Sequence, residues 1–254
     1  MSSITWTPGA LASESRSLGG RGWRIVEAQH RISTLKLTDT LEEQALLEAV
    51  LEHTKPPMPS ECAGLDYLLA APFRYGAEYP KGSRFRRAGH TPGVFYCSQT
   101  SETAIAETAF HRLLFYAESP SIAPPHQAAE FTAFAAQLAT ESAIDLARPP
   151  FDSDAAKWMS PDEYSACQEL ADIARQANID VVAYRSVRDS QHRHNLAVLH
   201  CRVFAKPAPV ARQTWHLAIG TDRLRAICEM PSMRLEFPIE AFAGDPRLAP
   251  LLGI

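Results

Sequence analysis

Three groups of residues in this sequence have the types and spacing to do chemistry. The first is the loop Gly82-Ser83-Arg84-Phe85-Arg86-Arg87. Arginine offers a planar fork of donors that matches phosphate or carboxylate oxygens in pairs. Gly82 lets the backbone approach a ligand closely. The same composition also makes a solvated basic loop. The second group is Tyr96, near the end of the apolar run "GVFYC", and Glu107, eleven residues later. Tyr96 is either a core residue with a satisfied hydroxyl or a flat platform for a ring or sugar. Glu107 is either half of a buried Arg–Glu pair or a catalytic carboxylate beside a phosphate-binding arginine. The third group is Ser186 and Asn195 in "YRSVRDSQHRHN", a strand end and loop that can present hydroxyl and amide groups.

These groups need a frame. Ser98, Thr100 or Ser101 can cap a helix that carries Glu107. At about 100° per residue, Ala104, Phe110, His111 and Leu114 lie within about 60° of Glu107. Its carboxylate therefore borders the side that faces inward. The apolar run "IDVVAYRSV" predicts a strand leading to Ser186, and "LAVLHCRVF" a second strand just after Asn195. Thr40 and Glu43 predict a capping box for a helix over residues 41–54, with Leu46, Leu47, Val50 and Leu51 on one face. Ser160, Pro161 and Glu163 predict the start of another helix. Three strand-like runs, "TWHLAI", "LRAICEM" and "MRLEFPI", close the chain. Residues 1–21 read as a loose lead-in. With no internal repeat and no linker after it, the simplest architecture is a single α+β domain.

Composition bounds the partners. The 254 residues are 46% hydrophobic and 21% charged, with a net charge of -4. That gives no global attraction to nucleic acid or an anionic membrane. No apolar run approaches the roughly twenty residues that span a bilayer, and "MSSITWTPGALASES" lacks a signal-peptide layout. Five scattered cysteines without a CxxC pair suggest no disulfide framework, and a cytoplasmic location is expected. His192 and His194 form an H-x-H pair without an acidic or Cys partner at ligand spacing, so no metal site is predicted. G-x-S-x-G, P-loop and H-E-x-x-H motifs are absent.

The order Arg31 in "HRIST", the block "GSRFRRAGHTPGVFYCSQTSETAIAETAFHRL", Ser186 and Asn195 resembles the RES-domain toxins of bacterial toxin–antitoxin pairs. That family has an early arginine, a "GGRWN"-like loop, a strand ending in tyrosine, a glutamate eleven residues on, and a later serine. Here the loop reads "GSRFRR", with Phe85 where tryptophan is usual. The resemblance covers residues 22–205, with inserted helices at about 40–70, as in the larger ParT-like members. Residues 206–254 would be a β-rich extension packed on the same domain.

The resemblance implies a fold similar to the diphtheria-toxin-type ADP-ribosyltransferases, with small β-sheets around an NAD⁺ cleft and flanking helices. It implies a transferase that breaks the nicotinamide–ribose bond of NAD⁺, its substrate, without a metal. Glu107, Arg31, Tyr96 and Ser186 would form the catalytic set. Arg31, Arg84, Gly82, Tyr96, Ser186 and Asn195 would hold NAD⁺. The expected function is a toxin that passes ADP-ribose to a host protein. An NAD⁺ glycohydrolase or phosphorylase, or a non-catalytic binding module, stays open. The implied partner is a helical antitoxin encoded nearby that occludes the cleft, with room for a homo-oligomer within that complex.

Overall fold

In the computed structural model, which describes residues 4–27, 37–75, 78, 82–89, 91–125 and 127–252, the chain joins the body at once. The expected loose lead-in is instead helix α1 (Pro8–Ser13) and the start of strand β1 (Arg16–Glu27). Pro8 sits in the first turn, where its missing amide costs nothing, and the Thr7 hydroxyl caps the helix by accepting from the Ala10 amide. The side chain of Leu11 is fully buried. Serine and glycine at the start of β1 gave no periodic signal, but their backbone pairs along its partner strand.

Helix α2 (Leu41–Thr54) has the predicted capping box. Its leucines do not form a core face: Leu46, Val50 and Leu51 are exposed, and Gln44 is the buried residue. A 2.5 Å ion pair from Arg74 to Glu52 ties it to helix α3 (Tyr67–Arg74). A disulfide between Cys62 and Cys201 fastens the turn between α2 and α3 to the body, contrary to the expectation of no disulfide framework. Two cysteines 139 residues apart leave no local spacing to read. Gly93 is where the chain passes tightly under α3, since a Cβ there would lie 2.1 Å from the Pro72 carbonyl oxygen.

Strand β2 (Phe95–Ser98) leads into helix α4 (Ser101–Glu118), capped by Thr100. Strand β3 (Ala129–Asp145) is the longest, at 17 residues. Short helices α5 (Ala155–Trp158) and α6 (Ser165–Gln176) follow. Helix α6 begins later than predicted. The Ser160 hydroxyl accepts from the Glu163 amide, but this closes a turn before the helix, and Tyr164 stands at the N-cap. Strands β4 (Val181–Arg185) and β5 (His194–Val198) carry the predicted pair. The C-terminal runs are β6 (Ala211–Ile219), β7 (Arg223–Cys228) and β8 (Met233–Pro238), ahead of a short helix α7 (Ala249–Leu252).

The strands form one ladder in the order β1-β2-β5-β4-β3-β6-β7-β8, rather than separate small sheets. An added β1–β3 pairing closes the first five into a ring. The length of β3 makes this possible. Its N-terminal half pairs with β6, its C-terminal end runs parallel to β4, and its other edge pairs with β1. The mixed α and β content agrees with the α+β expectation. Helix α4 lies across β3, β6 and β7. Ile105, Ala109, Phe110 and Leu113 pack there with Trp215, Leu217, Leu224 and Phe242. Each such buried large side chain contributes about 1.5–3 kcal/mol, so the rotation of α4 about its axis is fixed, and with it the direction of Glu107. Among the described residues, no helix is long and apolar enough to cross a membrane.

Candidate active site

Glu107 stands midway along α4, on the border between the buried stripe and a cavity of about 470 Å³. Ser186 donates to its Oε1 at 2.6 Å, and the Asn195 side-chain amide donates to the same oxygen at 2.6 Å. Nothing among the described residues hydrogen-bonds Oε2. Both donors are held in turn. Ser186 follows β4 and its Oγ accepts from the amides of Arg188 and Asp189, at 3.1 and 3.0 Å. A hydroxyl has one proton to give, so with its lone pairs engaged that proton goes to Glu107. Asn195 lies in register with Ser98 of β2 and Tyr184 of β4. Its Oδ1 accepts from Ser98 Oγ at 2.6 Å, which sets the amide orientation and turns Nδ2 toward Glu107.

Tyr96 lines the cavity and pins the basic loop. Its hydroxyl accepts from the Phe85 amide and pairs with Ser83 Oγ, both at 2.9 Å. Burial pushes its phenol up to about 12, so the hydroxyl stays neutral. Gly82 also borders the cavity. A Cβ there would lie 2.7 Å from Gln168 Nε2 and 3.2 Å from the Arg86 carbonyl oxygen, so the tight loop has no space for a side chain.

The arginines of that loop are more engaged than a free fork. Arg84 donates to the carbonyls of Trp158 and Ser160 at 2.7 and 2.8 Å and stacks over Tyr164. Arg86 donates to the Thr91 hydroxyl and to the carbonyls of Thr91 and Tyr75. Both line the cavity and lend it charge while holding its wall together.

Arg31 lies outside the described residues. The cavity arginine of the first strand is Arg24, which sequence reasoning passed over. It donates to the Tyr96 carbonyl at 2.9 Å and lies over Phe95. The available signal was a lone arginine inside the apolar run "WRIV", where a cation needs a reason to be.

The opposite wall comes from the end of the chain, which the sequence left without a role. Asp245 is almost fully buried and takes Arg188 at 2.6 Å and Arg247 at 2.7 Å on Oδ2. Burial pushes the Asp245 carboxyl up, but the hydrogen bonds from Arg247 and the nearby Arg188 charge outweigh it and hold it below the usual range. Arg188 lies 3.7 Å over the Phe110 ring. His111, one turn beyond Glu107, also lines the cavity.

Of the expected residues, Gly82, Arg84, Tyr96, Glu107 and Asn195 border this one cavity, and Ser186 is bonded to Glu107 from behind. His192 and His194 stay apart: one ring engages the Ser186 carbonyl and the other Asp145. Among the described residues, the cluster of potential metal ligands is Glu61 with Cys62 and Cys201, the last two joined as the disulfide. Five arginines and one carboxylate line the cavity, an arrangement suited to a polyanion with one cationic centre placed at Glu107.

No curated protein matches the sequence. Among solved structures, the M. tuberculosis MbcT–MbcA toxin–antitoxin complex is similar at 14% identity and a TM-score of 0.45, over 82% of this chain and 92% of that one. The RES domain matches residues 58–219, from the turn before α3 to the end of β6. With well over half of the chain matched, including Glu107, Ser186 and Asn195, this protein belongs to the RES domain family.

Proposed function

We propose that this protein breaks the nicotinamide–ribose bond of NAD⁺ and passes ADP-ribose to a host protein, as the toxin of a toxin–antitoxin pair. The observation that carries this reading is the Glu107 carboxylate. It is held by two neutral donors on one oxygen, at the edge of an arginine-lined cavity of about 470 Å³. That volume falls within the range of ordinary ligand sites. Departure of nicotinamide builds oxocarbenium-like charge on the ribose. A carboxylate fixed beforehand stabilises that charge without reorganising. Neutral partners such as Ser186 and Asn195 orient Glu107 and leave its negative charge in place.

The remaining residues take binding roles. Arg24, Arg84 and Arg86 supply positive charge for a pyrophosphate. Tyr96 and Tyr184 offer ring faces to a ribose or nicotinamide. This division of labour fits the diphtheria-toxin-type reaction, which needs no Lewis acid because nicotinamide leaves neutral. Membership of the RES domain family supports the toxin role and a cytoplasmic site of action. The partner is then a helical antitoxin that covers the cavity.

The purified protein should release nicotinamide from NAD⁺ and label a protein in cell extract, read by mass spectrometry. Free ADP-ribose or its phosphate in place of a labelled protein would make it a glycohydrolase or phosphorylase. No release would reduce it to a binding module. Its expression should arrest growth, and co-expression of the neighbouring antitoxin should relieve the arrest.

A further inference from the structure

We propose that His111 is the general base of this reaction, taking the proton from a hydroxyl acceptor as that acceptor attacks the ribose. The inference rests on the NAD⁺-cleaving reading and specifies its second substrate as an O–H group. His111 lies four residues after Glu107 on α4, so both side chains leave the helix on one face, about 5–6 Å apart at Cβ. Both border the cavity. The Glu107 carboxylate faces the ribose in the proposed reaction, which places His111 one turn further along the same wall. Its ring packs edge-on against Phe110, and no group among the described residues hydrogen-bonds either nitrogen. An imidazole in a polar cavity with both nitrogens unengaged is free to take a proton.

The surroundings keep it neutral at neutral pH. His111 stays exposed at the open side of the cavity. Partial desolvation by the packed wall lowers its basicity, Glu107 on its own helix raises it, Arg188 and Arg247 from the opposite wall lower it, and Asp245 raises it, leaving it below the ordinary imidazole value. In the step itself, an acceptor oxygen lone pair forms the bond to the ribose carbon as the carbon–nitrogen bond breaks. That bonding pair leaves with nicotinamide, which departs neutral. The acceptor proton moves to a His111 nitrogen and then to solvent. The resulting imidazolium sits beside the Glu107 carboxylate, which stabilises it.

The test uses the full chain with NAD⁺ and water as the acceptor, following nicotinamide release across pH. In the wild type, the rate falls on the acid side of the ordinary imidazole range, as the base becomes protonated. His111→Gln should lower kcat by about 100-fold, leave NAD⁺ affinity within about twofold, and remove that acid limb. Added imidazole should restore at least about tenfold of the rate lost in His111→Ala, a rescue that a structural role would not give. A His111→Gln rate close to the wild type, an unchanged acid limb, or no rescue by imidazole overturns the proposal. If these occur while Glu107→Gln still abolishes release, the NAD⁺ reading stands and only the base is wrong. If the wild type releases no nicotinamide, both fall together.

Discussion

Two carboxylates serve the cavity, and they are held in opposite ways. Asp245, in its wall, is clasped by two arginines and almost sealed from water. Glu107 is half-buried, and its two closest donors, a serine hydroxyl and an asparagine amide, carry no charge. Ion pairing cancels the field of Asp245 and leaves it a structural rivet. Neutral hydrogen bonds fix the geometry of Glu107 without a direct ion pair among the described residues. In the proposed reaction, the chemistry falls to the carboxylate whose hydrogen-bond donors orient it without an ion pair.

Breaking the rivet should give the largest change in stability. Asp245→Asn leaves Arg188 buried opposite a neutral group, at a cost of about 3–5 kcal/mol. Thermal unfolding should shift down by about 10 °C. The same pair sets a pH dependence. The folded Asp245 carboxyl lies below its unfolded value of about 3.9. Its stabilisation is therefore complete above that value and is lost as pH falls through the lower folded one. Acid unfolding curves of Asp245→Asn should lack this component, and identical curves would show that the pair contributes nothing.

On the Glu107 side, loss of one neutral donor should affect rate more than folding. Hydrogen bonds to a charged group contribute about 1.5–3 kcal/mol. Asn195→Ala should therefore slow nicotinamide release by roughly 10–100-fold. Asn195→Asp tests the principle more sharply, because it puts a second negative charge against Oε1 in place of a neutral donor. It should be slower still than Asn195→Ala, and a faster rate would mean that orientation, not charge, is limiting.

Arg84 gives the smallest effect. Two of its nitrogens are bound to the Trp158 and Ser160 carbonyls. Arg84→Ala should cost about 1–2 kcal/mol of stability and weaken NAD⁺ binding by less than about tenfold. A hundredfold loss of NAD⁺ affinity with unchanged thermal stability would return Arg84 to the role of a free phosphate clamp.

Much of the candidate site was legible, in that most of the expected residues gather at one cavity, because their signals are local. Tyr96, Glu107 and Ser186 sit at ends or borders of elements with clear apolar periodicity, and the Thr40–Glu43 box is present as predicted. The parts that were missed depend on contacts distant in sequence. Arg24 reaches the cavity only because β1 closes on β3 and β2. Asp245 and Arg247 come from the last ten residues, brought back against Arg188 and Tyr164 by the β6–β8 meander. The glycine-rich start of β1 has no alternation to read, because its strand character comes from pairing with β3. In α2 the misreading ran the other way: leucines at helical spacing implied a core face that the fold leaves in solvent.

The central claim is that the unneutralised charge of Glu107 breaks the bond, and one paired measurement tests it most directly. Nicotinamide release and NAD⁺ affinity are measured side by side for the wild type and for Glu107→Gln, which keeps the shape and removes the charge. Release should fall by at least about 100–1,000-fold, with affinity changed by less than about threefold and thermal stability preserved. Wild-type turnover by Glu107→Gln, in a folded protein that binds NAD⁺ normally, would contradict the account.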